Sequence, residues 1–257
     1  MLLTLIIRND RITLGAYQGS TLAARADIGA DKQKTADEYA VLFKSIFDIH
    51  KISTTDFDGA ICASVVPSLT ETLKDAVNLL LGVRMHVIGS GIKTGLTIKT
   101  ENPAELGADL VANAAGAVAA FGAPVIVADF GTATTVIAVD EKSALQGGAI
   151  MPGIGMSLQA LNSAELLPGV PVDGTVLSLG KNTPDCMRAG VIRGTAMAVC
   201  GFAADYKKML KLPQDTPLVV CGGLVGAARA YLPADAKYVP NLTLCGLAAI
   251  YRLNQKN

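Results

Sequence analysis

The sequence predicts an α/β protein, and three observations predict it. Short apolar runs alternate with helix-patterned stretches along all 257 residues, as strands and helices packed in layers require. No linker or low-complexity stretch interrupts that alternation, so any domains pack closely. Two strand–turn–strand units, within residues 2–17 and 125–140, resemble each other.

In chain order, residues 2–7 and 12–17 read as two strands joined by a tight polar turn over 8–11. Residues 35–49 read as an amphipathic helix, with Asp37 and Glu38 in the first turn, where the helix dipole favours acids. A short buried strand over 59–65 ends before Pro67, a helix follows over 68–81, and a strand over 84–88. Residues 108–121 form an Ala-rich helix. The second strand–turn–strand unit pairs 125–129 with 135–140. The Gly-rich stretch 147–155 reads as a close-packed loop; it is no P-loop, because no Gly-Lys-Ser/Thr follows. Helices are expected over 156–167 and 184–210. A strand over 218–221 runs into Gly222-Gly223, and 244–254 is the last helix.

Composition excludes several classes. Hydrophobic residues make up 51 % and charged residues 17 %, the latter below the typical ~25 % of a soluble protein. A disordered chain needs the opposite balance. Basic and acidic residues number 22 each, for a net charge of zero. A protein that grips phosphate backbones carries a basic surplus, so nucleic acid is not an expected partner. The mean hydropathy of +0.41 raises the membrane question. The longest apolar uncharged run, 111–128, nears the ~20 residues of a spanning helix. It holds Asn113, Gly116, Gly122 and Pro124 between Asp109 and Asp129, and reads instead as buried helix, turn and strand. No membrane partner is expected. The opening MLLTLII is too short for a signal-peptide core. Cys62, Cys186, Cys200, Cys221 and Cys245 are scattered without a CxxC, as reduced thiols of a cytoplasmic protein would be. His50 and His86 make no zinc pattern.

Chemistry concentrates at a few places. In Asp129-Phe130-Gly131-Thr132-Ala133-Thr134-Thr135 a carboxylate ends a buried strand. Gly131 lets the backbone approach a ligand, and hydroxyls and successive N–H groups follow, which suits phosphate oxygens. The carboxylate could hold a cation; the plain alternative is a Thr-rich hairpin turn with a capping Asp. Asp109 opens the helix after Asn102-Pro103 and Gly107-Ala108, where an Asp is by default a cap or dipole partner. Gly180-Lys181-Asn182-Thr183 leads into a long helix, either an anion-friendly N-terminus or an ordinary cap. Setting residues 5–17 against 128–140 brings Ile6 opposite Asp129, Arg8 opposite Gly131, and Asn9 opposite Thr132. A duplicated hairpin of this kind can hold nucleotide phosphates.

Taken in order, these segments resemble the type III pantothenate kinases over nearly the full chain. The matching stretches are 35–39, Asn102-Pro103 with Gly107-Ala108-Asp109, 129–134, 147–155, 180–183, and Asn241-Leu242-Thr243-Leu244 with Gly246-Leu247. The resemblance implies an acetate/sugar kinase–Hsp70–actin type fold with two duplicated ribonuclease-H-like halves, residues 1–115 and 116–257. It implies ATP-dependent phosphorylation of pantothenate with Mg2+ and a monovalent cation, K+ or NH4+. Carried over, Asp109 is the base for the pantothenate hydroxyl, and Gly107, Ala108 and Thr183 belong to the substrate site near a subunit interface. Asp129 binds the monovalent cation, and Asn9, Gly131, Thr132 and Thr134 hold ATP. Such chemistry is mostly positioning and charge stabilisation.

The departures are as telling. The family opens with Asp-x-Gly-Asn-Thr, whose aspartate organises magnesium; here Ile6-Ile7-Arg8-Asn9-Asp10 stands there, and Asn9 alone survives. Asp10 lies in the turn and is not expected to substitute. The family's Arg after Gly-Ala-Asp, which pairs with the pantothenate carboxylate, is Leu110 here, and an expected tyrosine near Thr100 is missing. The dimer-facing stretches 147–168 and 180–183 match. The expectation is therefore one subunit of a heteromeric type III pantothenate kinase, with a catalytically complete paralogue as partner. The alternative is a pseudokinase that binds nucleotide or a metabolite of the coenzyme A route. A self-sufficient kinase with an altered acceptor is a third reading.

Overall fold

The computed structural model describes residues 1–164, 167–174 and 176–255. Along the chain run β1 (Leu2–Ile7), β2 (Arg11–Gln18), β3 (Thr21–Gly29), α1 (Ala36–Ile49), β4 (Gly59–Ser64), α2 (Pro67–Leu81), β5 (Met85–Val87), β6 (Thr97–Ile98) and α3 (Ala108–Phe121). Then come β7 (Val125–Phe130), β8 (Ala133–Val139), β9 (Ala144–Pro152), α4 (Ile154–Asn162), α5 (Thr183–Arg188), α6 (Gly194–Met209), β10 (Leu218–Cys221), α7 (Val225–Ala228), β11 (Lys237–Tyr238) and α8 (Leu242–Asn254). The chain divides into two compact units. The first holds Met1–Leu96, Asn102–Ala119 and the chain from Thr243 onward; the second holds Thr97–Glu101 and Ala120–Leu242.

The first unit is a sheet in the order β3-β2-β1-β4-β5 with helices on both faces. Period-two alternation in β1 decides which side chain faces which layer. Leu3, Leu5 and Ile7 pack with Tyr39, Phe43 and Phe47 of α1 and Leu69 and Leu73 of α2. Leu2 and Ile6 face the other way, toward Ala112 and Ala115 of α3 and Leu244, Leu247 and Ile250 of α8. A strand buried on both faces must be continuously apolar, and β1 is buried at every position. Helix α1 starts where the sequence places it. Thr35 accepts the Glu38 N–H, and Glu38 accepts the Thr35 N–H at 2.7 Å, a complete capping box.

In the second unit the order β9-β8-β7-β10-β11 repeats the first unit's order, with β6 added at the edge beside β9. In both, the first strand pairs antiparallel with the second and parallel with the fourth of its set. Ile126, Ala128 and Phe130 of β7 pack on α4, on the α5–α6 helix and on α7.

Three expectations change. Residues 147–152 belong to strand β9 rather than a loop. The glycines there serve close strand approach: a Cβ at Gly148 would lie 2.1 Å from the Val136 carbonyl oxygen of β8. The helix expected over 156–167 ends at Asn162, and its positions 165 and 166 lie outside the described residues. The single helix expected over 184–210 widens into a π turn over Ala189–Arg193 between α5 and α6. Strand β3 was not foreseen, because the middle of TLAARADIG is alanine and charge, and its β-branched residues, Thr21 and Ile28, stand only near the ends. Among the described residues, no helix is long and apolar enough to cross a membrane.

Candidate active site

In the first unit the β1–β2 turn and the start of α3 carry the predicted residues. Ile7 pairs with Ile12, so residues 8–11 form a four-residue turn, closed by the Arg8 N–H to the Arg11 carbonyl at 2.9 Å. Asn9 is exposed at its tip. Ile6, one residue before the ladder ends, is 7 % exposed and held in the apolar layer under α3 and α8. Asp109 is the second residue of α3, and Gly107 clears its carboxylate: a Cβ there would lie 2.7 Å from Asp109 Oδ1. Ala108 also joins that layer, and Leu110 is buried.

Among the described residues, an ion pair joins these elements. Arg8 Nη2 lies 3.8 Å from Asp109 Oδ2, both side chains partly exposed. The sequence marked the two positions separately, one as a departure and one as the base. No local pattern could have paired them, since about a hundred residues separate them.

In the second unit the turn between β7 and β8 is one residue shorter, because Phe130 pairs with Thr134. Asp129 is buried at the strand end, 7 % exposed. Backbone packs closely on this end of the hairpin where two glycines allow, Gly222 against Asp129 and Gly153 against the turn. A Cβ at Gly222, whose φ is +102°, would lie 2.4 Å from Asp129 Oδ1. A Cβ at Gly153 would lie 2.2 Å from the Thr132 carbonyl, which accepts the Gly153 N–H at 3.1 Å. Gly131 is half-buried and Thr132 exposed at the tip. Register separates the threonines. Thr135 lies opposite Asp129 and shares its face of the hairpin, whereas Thr134 shares the face of Phe130. Thr134 is fully buried, and its hydroxyl has no hydrogen-bond partner among the described residues. Sequence reasoning counted Thr135 among the hydroxyls after Asp129 without setting it apart from Thr134, which the period-two rule counted from Asp129 does, and it missed how Gly153 and Gly222 pack.

Thr183 opens α5 and is exposed. Asn182 caps that helix, accepting the Asp185 N–H at 2.9 Å and donating to Asp185 Oδ2 at 2.8 Å. Gly180 makes the turn tight: a Cβ there would lie 2.4 Å from the Cys186 nitrogen.

The implied ions fare differently. Ile6 offers no ligand atom, and among the described residues no group of three or more His, Cys, Asp or Glu is placed to hold a metal. The first hairpin does not fit a resident magnesium ion. At the second, Asp129 is a buried strand-end carboxylate beside the backbone of Gly131 and Gly222, an oxygen ligand of the kind hard cations take.

Comparison with known proteins bears on the whole chain. A family model described as type III pantothenate kinase matches residues 2–205. A protein named type III pantothenate kinase from Moorella thermoacetica is 38 % identical over 255 residues, covering 99 % of this chain and all of that one. Among solved structures, a protein assigned to the Baf family of transcriptional activators from Campylobacter jejuni aligns at a TM-score of 0.65 with 17 % identity, over 99 % of this chain and 100 % of that one. One assigned as a 2-dehydro-3-deoxygalactonokinase from Sinorhizobium meliloti aligns at 0.61 with 10 % identity, over 100 % and 98 %. At such identities the likeness is one of fold, the acetate/sugar kinase–Hsp70–actin type built from two duplicated halves.

Proposed function

Since this chain belongs to the type III pantothenate kinase family, we propose that it serves the ATP-dependent phosphorylation of pantothenate to 4'-phosphopantothenate, the first step of coenzyme A biosynthesis, as one subunit of a heteromer with a catalytically complete paralogue. The observation that carries the subunit reading is Ile6. An apolar side chain, buried in the layer under α3 and α8, stands where the family's metal-organising carboxylate is expected. Leu110, also buried, stands where the substrate's carboxylate would find its arginine. Both losses weaken this chain's own site, since an unpaired buried carboxylate is costly.

The opposite surfaces are kept. The Thr183 turn is capped and tight, and the family pattern brings that threonine to a substrate site near a subunit interface. Ile150, Met156, Leu177 and Leu179 are large apolar side chains left exposed in or beside the stretches expected to face a partner, Leu179 at 77 %. These are side chains that a partner surface would cover. In the heteromer the Thr183 hydroxyl hydrogen-bonds pantothenate in the paralogue's site. Asp129 holds the monovalent cation, potassium or ammonium, and the turn at Gly131 and Thr132 receives nucleotide phosphates. ATP supplies the phosphoryl group, and Asp109 is the residue that would take the hydroxyl proton. The cytoplasm, where ATP and reduced thiols are found, is the proposed location.

A second reading, a pseudokinase with a metabolite-binding role, is favoured by the Arg8–Asp109 ion pair, which engages the base. ADP release measured with pantothenate, ATP, magnesium and potassium decides between them. The heteromer predicts no turnover by this chain alone, and turnover with the paralogue well above the paralogue's own. No gain in the mixture leaves the pseudokinase. Robust turnover by this chain alone overturns both.

A further inference from the structure

We propose that Arg8 is a phosphate-binding residue that replaces, at the first hairpin, the magnesium ion a strand-end carboxylate would hold. The inference rests on the nucleotide-binding reading above and adds what this chain's own first hairpin binds, and how. The two hairpins supply the argument. Where the second keeps Asp129 it also keeps Gly131, and where the first has Ile6 it has Arg8. The two changes go together, and the charge they leave is the same. A carboxylate with a divalent cation carries one net positive charge, and Ile6 with Arg8 carries one as well.

Geometry puts that charge beside the reacting position. The Arg8 backbone is fixed by its N–H bond to Arg11 at 2.9 Å, at the turn where the other hairpin is open for phosphate. Its guanidinium reaches Asp109, the proposed base, at 3.8 Å. That separation is longer than a hydrogen bond and within reach of charge–charge attraction. A phosphoryl group delivered to a hydroxyl next to Asp109 meets the guanidinium fork, which matches phosphate oxygens two at a time. Arg11, exposed on the same turn, forms no ion pair among the described residues and serves as the matched control for charge alone.

The experiment is calorimetric titration of the full chain with inorganic triphosphate, once with EDTA and once with Mg2+. Wild type should bind with EDTA present. Arg8→Ala should weaken that binding at least tenfold, and Arg8→Lys by less, because a point charge replaces the fork. Arg11→Ala should stay within about threefold of wild type, the loss expected of a diffuse surface charge. The double variant Ile6→Asp with Arg8→Gly should lose binding in EDTA and regain it with Mg2+. Thermal melts of each variant confirm folding, and Arg8→Lys retains the test if Arg8→Ala does not fold. The proposal is overturned if wild type binds triphosphate only with Mg2+ or not at all. It is equally overturned if Arg8→Ala binds like wild type, which makes Arg8 merely the counter-ion of Asp109, or if Arg11→Ala loses as much. Neither pantothenate nor the paralogue enters this assay, so its failure is distinct from failure of the subunit reading.

Discussion

At the scale of the residue, Gly222 shows how a glycine can belong to a site it never touches chemically. Its φ of +102° is closed to most side chains, and a Cβ would also meet Asp129 Oδ1 at 2.4 Å and the Phe130 carbonyl carbon at 2.5 Å. Gly222→Ala should therefore cost about 3 kcal/mol, combining backbone strain with overpacking against fixed main chain. Urea unfolding measures it; a loss under about 1 kcal/mol would mean that the β7 end yields. Residues of this kind were only partly legible. Asp129, Gly131 and Thr132 announce themselves as a string, and Asp109 by its place after Gly107-Ala108. The Arg8–Asp109 contact and the packing of Gly222 on Asp129 join distant positions. Thr134 and Thr135 read alike in the sequence, and only the strand register separates them, Thr135 on the face of Asp129 and Thr134 on the face of Phe130.

At the scale of the element, Asp140 organises the β8–β9 turn. Its Oδ1 accepts the Lys142 N–H at 2.8 Å and the Ala144 N–H at 2.9 Å, and its Oδ2 accepts the Gln146 amide at 2.6 Å. Partial burial pushes its carboxyl upward, but these bonds outweigh it and hold the carboxyl below its ordinary range. A depressed folded value stabilises the fold above the unfolded value of ~3.9 and is lost as pH falls through the folded one. Asp140→Asn should cost about 1 kcal/mol at pH 7, discounted for solvent screening, and little near pH 3. Thermal melts at the two pH values check it; an equal cost at both would assign the effect to shape rather than charge. Most elements were legible because β-branched runs and helical spacing are local. Strands β6 and β11 are two residues each and too short to show a pattern, while β3 is centred on alanine and charge and β9 on glycine, and these two exist because β2 and β8 offer them open edges.

At the scale of the whole molecule, the repeated strand order argues that one hairpin-led unit was used twice, and the two copies diverged at their turns. The chain does not treat the copies equally. After passing through the second unit it returns to complete the first with α8, where Leu244, Leu247, Ala248 and Ile250 are each no more than 1 % exposed. At about 1.5–3 kcal/mol for each large side chain, losing that layer removes an amount comparable to a domain's entire stability of about 5–15 kcal/mol. Deleting residues 241–257 should therefore abolish hydrogen-exchange protection in β1 and β4 and retain it in β7 and β10. Surviving protection in β1 would show that α1 and α2 hold that sheet alone.

The same return of the chain has a consequence for its birth. Domains usually settle in the order in which they leave the ribosome, the earliest first. Here Leu2, Ile6 and Tyr17 are made more than two hundred residues before Leu244 to Ile250, which cover them. Strands β1 and β2 must wait through all of that synthesis with one oily face incompletely covered, and in that interval the nascent chain is most in need of a chaperone.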